Sequence, residues 1–183
     1  MVSVEAARLT ARSQRQTLQR TSSMAYEIMS WLIAIPMLGF ATGLRSMTPM
    51  AVLCWFAYAG QLSADWAPWI AHLSLAIVFT VLAFAELIAD KTPWIPDRVS
   101  PAALIWRVLL AGFAGAIAAT SMQGPGLEGV LLGVVGALIG AFGGYMLRRE
   151  LVQNLDCKDW HIALAEDALT IAASIFALRV ISA

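Results

Sequence analysis

Apolar residues occur in six long blocks from Ile28 onward, and short polar breaks separate the blocks. The blocks cover residues 28–45, 47–60, 67–89, 101–122, 126–148 and 160–182. Because a helix needs roughly 20 residues to cross a hydrocarbon core, five blocks are long enough to span a membrane. The exception is 47–60, which would rise only about 21 Å as a helix. We expect that block to form a short, tilted or re-entrant helix.

The block pattern predicts an all-α fold, a polytopic transmembrane helix bundle with five long helices plus one short or re-entrant helix. Composition supports this interpretation, since 60% of the residues are hydrophobic and only 13% are charged. An ordinary soluble domain has about 25% charged residues. The formal net charge is zero, so charge gives no indication of a nucleic-acid partner and we expect none.

The chain divides into a polar N-terminal tail, residues 1–27, and a single transmembrane helical domain, residues 28–183. The tail contains four arginines and two glutamates: Arg8, Arg12, Arg15, Arg20, Glu5 and Glu27. A mobile cytoplasmic tail, a helix lying on the membrane surface and an Arg-rich organelle presequence all fit this composition. We favour the mobile tail.

Basic residues are concentrated in two of the predicted loops. These residues are Lys91 and Arg98 in one loop, and Arg148, Arg149 and Lys158 in the other. The breaks at 60–66 and 123–128 contain no Lys or Arg. Because basic loops stay in the cytoplasm, we expect a multi-pass protein of the bacterial inner membrane with these two loops cytoplasmic. If 47–60 is re-entrant or half-crossing, which we prefer, the N-terminal tail lies on the cytoplasmic side with these loops. If 47–60 crosses the membrane fully, the tail lies on the opposite side.

Glycines mark one face of the fifth block. They recur at steps of four and three, at Gly129, Gly133, Gly136, Gly140 and Gly143. Small residues let helix backbones approach closely in a membrane, so this face predicts a packing seam, within one chain or between two copies. Since a chain of this size needs a symmetric partner to enclose a path, we expect a homodimer or other homo-oligomer, with the glycine face as the candidate interface.

A weak internal similarity relates the two halves of the chain. Residues 39–41 and 112–114 both read GFA, and 82–86 (LAFAE) resembles 162–166 (IALAE). This suggests a three-plus-three inverted repeat, an architecture of small transporters whose site lies at the repeat interface. Ala, Gly and Leu are so frequent here that chance is an equally good explanation.

Five ionisable residues lie inside or at the edge of apolar blocks: Arg45, Glu86, Asp90, Glu166 and Asp167. A charge at the bilayer centre costs about 2.5–3.5 kcal/mol, so such residues usually face a partner or water and mark function. Glu86 and Asp90 are one helical turn apart and would repel each other, and we expect Arg45 to hold them by bidentate hydrogen bonds. A structural clamp and an ion- or substrate-binding site explain these residues equally well.

Glu166 begins a polar stripe on the sixth predicted helix. The stripe continues as Thr170 and Ser174, and it either lines a hydrophilic path or forms hydrogen bonds with neighbouring helices. Asp167 points about 100° away from this stripe. We expect it to pair with one of the two adjacent arginines at 148 and 149.

No catalytic motif is present in the sequence. There is no Gly-x-Ser-x-Gly elbow, no Walker loop and no His-Glu-x-x-His pair. The residues Asp156, Cys157, Asp159 and His161 do not have a recognised metal-ligand spacing. We therefore expect no metal, no cofactor and no enzymatic activity.

Three short strings carry a family resemblance: residues 42–46 (TGLRS), 85–93 (AELIADKTP) followed by Asp97, and 165–167 (AED). Together they resemble an uncharacterised bacterial family of integral membrane proteins, domain of unknown function 4126, over roughly residues 28–180. The Glu-x-x-x-Asp-Lys-x-Pro string is the most specific part. Many relatives have Asn where Arg45 stands, so an obligatory cation is not implied there. The resemblance implies a multi-helix inner-membrane protein and assigns no activity.

The favoured hypothesis is a small transporter or channel-like protein for an ion or small solute. Glu86, Asp90 and Glu166 would bind a cation or proton, and Arg45 would act as gate or counter-charge. The alternative is a non-transporting membrane scaffold or lipid-interacting subunit, in which the charges are internal clamps and the basic loops hold anionic headgroups. Membrane lipid is the expected partner in both cases.

Overall fold

The computed structural model describes residues 31–63, 65–89, 101–155 and 159–182, together with 14–17, 19 and 21 near the N-terminus. All regular elements in these ranges are helical, so the all-α prediction is confirmed at that level. The main helices are α1 (Trp31–Leu44), α2 (Met47–Tyr58), α3 (Leu73–Ala89), α4 (Pro101–Ser121), α5 (Gly126–Leu155) and α6 (Asp159–Ile181), with a short 3₁₀ helix at Pro68–Ala71 before α3.

Helices α1 and α2 form a hairpin inside the bundle. The α1 helix begins with the Trp31 ring against Gly124, in the turn between α4 and α5. The chain after α2 returns to that same turn, where the Ser121 hydroxyl donates a hydrogen bond to the Ser63 carbonyl oxygen at 2.9 Å. We call this end of the bundle the turn end. The opposite end, where α3 and α5 finish and α4 and α6 begin, is the far end.

The hairpin reverses at residues 43–47, which we call the hairpin tip. Arg45 closes α1 through a bond from its N–H to the Ala41 carbonyl oxygen, 2.9 Å long, and α2 starts two residues later. Arg45 and Ser46 are 2% and 6% exposed. The tip is therefore enclosed by protein and does not emerge at the far end.

This arrangement changes one expectation from the sequence. The hairpin consists of α1 together with α2, whereas the sequence assigned the re-entrant element to 47–60 alone. Helix α1 begins at the turn end, which holds the breaks without Lys or Arg, and the predicted side of the tail depends on residues just before α1 that lie outside the described ranges. The apolar pattern could not show the reversal, because a two-residue break has the same pattern whether the chain reverses or only bends.

Two predicted boundaries also move. The block 67–89 contains the 3₁₀ helix and an extended residue, His72, before α3 begins, so α3 has only 17 residues. Helix α5 continues to Leu155, beyond the predicted end at 148. Arg, Glu, Leu and Gln are good helix formers. The charged residues at 148–150 therefore end the apolar block but do not end the helix.

Helix α5 lies between α4 and α1 and touches both through glycines. A methyl group added at Gly129 or Gly133 would overlap the backbone of α4, at Gly115 and Ala111 respectively. At Gly136 and Gly140 it would overlap the carbonyl groups of α1 residues. The seam is thus an internal three-helix contact.

The glycine seam differs from the prediction at the end that lies nearest the hairpin tip. A methyl group at Gly143 would meet no atom within 4 Å, whereas one at Gly144 would press against the Leu44 side chain. The close-contact glycines are covered by α1 and α4, so they form a seam within one chain, which is the first of the two alternatives that the sequence left open.

The core is apolar and lies between α2, α4, α6 and the half of α1 that is nearer the turn end. Its largest buried members are Ile35, Leu38, Met50, Leu53, Ile70, Ile117 and Leu178. The outer surface is apolar as well, with large exposed side chains on every long helix, such as Phe84, Leu109, Leu131, Ile139 and Phe176. Such a surface exceeds the scattered apolar exposure of ordinary soluble proteins.

Candidate functional site at the hairpin tip

Glu86 of α3 caps the start of α2. Its Oε1 accepts hydrogen bonds from the Ser46 N–H at 3.0 Å and from the Ser46 hydroxyl at 2.9 Å, and its Oε2 accepts one from the Met47 N–H at 2.9 Å. Ser46 occupies the N-cap position but its own side chain forms no capping bond. The carboxylate therefore satisfies the N–H groups that a helix start leaves unpaired and meets the positive end of the helix dipole.

Arg107 of α4 holds the other half of the tip. Its Nη1 donates a hydrogen bond to the Gly43 carbonyl oxygen at 2.9 Å. Gly43 lies in the last turn of α1, where carbonyl groups have no partner within the helix and carry the negative end of the dipole. A guanidinium at a C-terminus and a carboxylate at an N-terminus thus complement the two helix ends that meet at the tip.

Arg45, between these two ends, forms an ion pair with α6. Its Nε lies 2.5 Å from Oδ1 of Asp167, and the two side chains are 2% and 16% exposed. Both charges are removed from solvent, where mutual attraction must offset a large desolvation cost. The pair fixes the tip against α6.

These contacts bring α3, α4 and α6 together around one break in the chain. Arg107 follows Pro101 by six residues, which places it about 9 Å inside the start of α4. The charged groups therefore lie within the bundle. This is the environment in which an ionised side chain requires a partner or water.

Glu166 lines a small cavity beside the tip. The cavity has a volume of about 30 Å³ and is lined by Gly43, Leu44, Arg107, Gly140, Ala141, Gly144, Tyr145 and Glu166. About 10–15 Å³ of such space is enough to hold a water molecule, so the cavity has room for water. Glu166 is half-buried, and its Oε1 lies near the Gly144 backbone.

Thr170 and Ser174 are fully buried, but their hydroxyls donate within α6. Thr170 donates to the Glu166 carbonyl oxygen at 2.8 Å, and Ser174 donates to the Thr170 carbonyl oxygen at 2.7 Å. The sequence suggested a hydrophilic path or bonds to neighbouring helices. These donors instead return to their own helix, as Ser and Thr in a helix commonly do.

The structure shows a pairing that the sequence did not predict, between Arg45 of the tip and Asp167 of α6. Glu86, the predicted partner of Arg45, bonds to the backbone N–H groups of Ser46 and Met47 and to the Ser46 hydroxyl. Asp90, the other predicted partner of Arg45, lies outside the described residues.

Sequence reasoning missed Arg107, although a signal for it exists. It is the one charged residue in the apolar block 101–122, and an isolated arginine in such a block calls for the same explanation as Glu86 or Glu166. The structure gives that explanation through its bond to Gly43.

The proposed repeat also finds no support in this geometry. Glu86 contacts the α1–α2 turn, and an equivalent Glu166 would contact the α4–α5 turn. Glu166 instead lies near the hairpin tip, beside Leu44 and Gly144. Within the described residues, no three His, Cys, Asp or Glu side chains lie close enough together to hold a metal ion.

Fold and site together define a helical protein with a buried, charge-stabilised helical hairpin. Among the described residues, two helical stretches, Pro101–Ser121 and Gly126–Leu147, are long and apolar enough to cross a membrane. The chain belongs to the family described as Domain of unknown function (DUF4126), whose model matches residues 32–180. This is the family that the three sequence strings resemble. No curated protein and no solved structure matches the chain.

Proposed function

We propose that this protein is a small multi-pass membrane transporter or channel-like protein for an ion or small solute, and that its site is the hairpin tip. The observation that carries the proposal is the broken hairpin itself. Two helix ends meet inside the bundle, and charged side chains from three other helices converge on them. Transporters commonly place their sites at such discontinuous helices, where backbone groups and helix dipoles face the cargo.

The outer surface supports placement in a membrane. Exposed aromatic residues occur towards both ends of the bundle, at Tyr58, Trp66 and Trp69 near the turn end and at Trp106 and Tyr145 towards the far end. Tyr145 follows the start of α5 by 19 residues, a rise of about 28 Å. That matches the thickness of a hydrocarbon core, and Trp and Tyr prefer its two boundaries. The hairpin tip, where Leu44 packs against Gly144, then lies near the far boundary and is enclosed by the neighbouring helices.

The charged residues then divide into two roles. Glu86, Arg107 and the pair of Arg45 with Asp167 hold the tip through their contacts there. Glu166 lines the cavity beside the tip, and we assign the binding of the transported species to that cavity and to Glu166. We place the far end in the cytoplasm of a bacterial inner membrane, because the two basic loops connect helices that meet at that end.

Flux through proteoliposomes tests this proposal. Purified protein is reconstituted, and the movement of sodium, potassium, chloride and protons is followed with ion-sensitive dyes. We expect flux of at least one of these ions above that of protein-free vesicles, and its loss in Glu166→Gln. Asp65→Asn, which changes an exposed acid at the turn end, should match the wild type. Equal readings from wild-type and protein-free vesicles for all four ions would refute transport of any of them.

A second candidate is a non-transporting membrane scaffold or lipid-interacting subunit. It is favoured by the way the tip charges close onto one another, with all three donors at Ser46 and Met47 bonded to Glu86. Under this alternative, wild-type vesicles show no flux, and Glu86→Gln changes only the thermal stability of the protein in detergent. Membrane lipid is the partner in either case.

A further inference from the structure

We infer that the turn end contains a binding site for a small organic ammonium compound, a cation that carries an apolar chain or ring. This site lies apart from the cavity at the hairpin tip, and it goes beyond the proposed function. It is a groove of about 380 Å³ between the start of α1 and the turn that joins α4 to α5, and we call it the turn groove. Small-molecule sites commonly have volumes of about 300–1,000 Å³, so the groove has room for such a ligand.

Apolar side chains form much of the wall of the turn groove. Helix α1 contributes Trp31 and Leu32, the α4–α5 turn contributes Met122, and α5 contributes Leu132. Such a wall can cover the apolar part of a ligand, and an indole ring also attracts an organic cation. A metal ion would instead need several oxygen ligands around it, which a wall of this composition does not offer.

Gln123 lines the turn groove in a backbone conformation that glutamine rarely adopts. Its φ is 60°, and no other residue except glycine has a positive φ in the part of the chain that the structure describes. The N–H groups of Gln123 and Gly124 close α4 through bonds to carbonyl oxygens of Thr120 and Ala119, an arrangement in which this position is usually glycine. Backbone strain of this kind is often kept where a side chain has a function, and an amide oxygen can accept a hydrogen bond from an ammonium group.

Glu128 supplies the negative charge of the turn groove. It is an exposed residue in the first turn of α5, and it is the only charged residue among the described residues that line the groove. The breaks at 60–66 and 123–128 contain no Lys or Arg. A carboxylate beside an aromatic ring and an amide oxygen favours a cation over a neutral or anionic ligand. Because an acid in the first turn also stabilises its own helix, the test separates binding from stability.

Binding of phenethylammonium, a primary ammonium group linked to a phenyl ring, tests the inference. Phenethyl alcohol and phenylacetate serve as its neutral and anionic analogues. The full-length protein in a non-ionic detergent is titrated with each compound, and saturation-transfer NMR of the compound gives the dissociation constant. We expect phenethylammonium to bind at least about tenfold more tightly than either analogue, and Glu128→Gln to remove at least about tenfold of that affinity. Asp65→Asn removes the same charge from an exposed residue at the same end and should bind like the wild type.

Gln123→Gly distinguishes a binding role from a structural one. Glycine adopts the left-handed conformation at little cost, so this variant should be at least as stable as the wild type in thermal unfolding and yet bind phenethylammonium more weakly. Wild-type affinity in Glu128→Gln or in Gln123→Gly, or equal affinity for the three compounds, would overturn the inference. Displacement of phenethylammonium by added phosphatidylethanolamine would overturn the assignment to a small solute in favour of a lipid headgroup. None of these results depends on ion flux, which tests the proposed function separately.

Discussion

Glu86 caps the start of α2, because the side chain of the N-cap residue, Ser46, forms no capping bond. Three donors converge on its two oxygens, two of them backbone N–H groups. A charged acceptor strengthens such bonds, and its position at the helix start adds a favourable interaction with the dipole. The contact also joins α3 to the hairpin tip, so one side chain affects both local helix geometry and packing.

Glu86→Gln should lower the free energy of unfolding in detergent by about 1–2 kcal/mol. The amide keeps one acceptor oxygen but loses the charge, and bonds to charged groups contribute more than neutral ones. Urea or thermal unfolding followed by circular dichroism measures the change. Glu150→Gln, which removes an exposed acid from the far end of α5, serves as the matched control and should change little. Equal losses in the two variants would show that the cap contributes nothing special.

The types of residue at the site could be predicted from the sequence, but their pairing could not. Arg45, Glu86, Glu166 and Asp167 stand out because charges in apolar blocks are costly. Which acid meets which base depends on helix rotation and on the reversal at the tip, and neither has a signature in local sequence. Glu86 pairs with backbone N–H groups, and a search for opposite charges overlooks such partners.

Glycine spacing determines how closely α5 approaches its neighbours. Gly129 and Gly133 meet α4, and Gly136 and Gly140 meet α1, each at a distance that leaves no room for a Cβ. Close backbone approach of this kind gives dispersion contact, which stabilises helix pairs in lipid where hydrophobic burial does not. The glycine periodicity correctly predicted a packing seam. It did not show which helices pack against the seam, nor that the seam ends at Gly144.

Alanine at Gly133 should destabilise the protein by about 1–3 kcal/mol, since its methyl group would overlap the carbonyl group of Ala111 and the helices would have to separate. Alanine at Gly143 provides the matched control. Its methyl group would meet open space, and the higher helix propensity of alanine favours it by up to about 1 kcal/mol. Thermal unfolding of both variants in one detergent measures the difference. A Gly133→Ala protein as stable as Gly143→Ala would contradict the internal seam.

The whole molecule is organised around a hairpin that enters and leaves at the same end. Apolar block lengths predicted the number of helices well, but they could not show that α1 and α2 reverse inside the bundle. The reversal puts the start of α1 at the turn end, together with the breaks at 60–66 and 123–128 that contain no Lys or Arg.

Side-specific labelling of single cysteines with a membrane-impermeant maleimide tests whether α1 and α2 form an enclosed hairpin. The background carries Cys54→Ala and Cys157→Ser, and the four single-cysteine positions are Arg15, Ser46, Asp65 and Glu150. Labelling in intact and in inverted membrane vesicles reports the side of each cysteine, and detergent-permeabilised vesicles confirm that each of the exposed positions reacts.

If the hairpin is enclosed, we expect Arg15→Cys and Asp65→Cys to react from one side and Glu150→Cys from the other, while Ser46→Cys is protected from both. Labelling of Arg15→Cys and Glu150→Cys from one shared side, with Asp65→Cys opposite, would restore the re-entrant helix at 47–60 and contradict the hairpin. Strong labelling of Ser46→Cys from the side of Glu150→Cys would contradict the enclosed tip on which the proposed site depends.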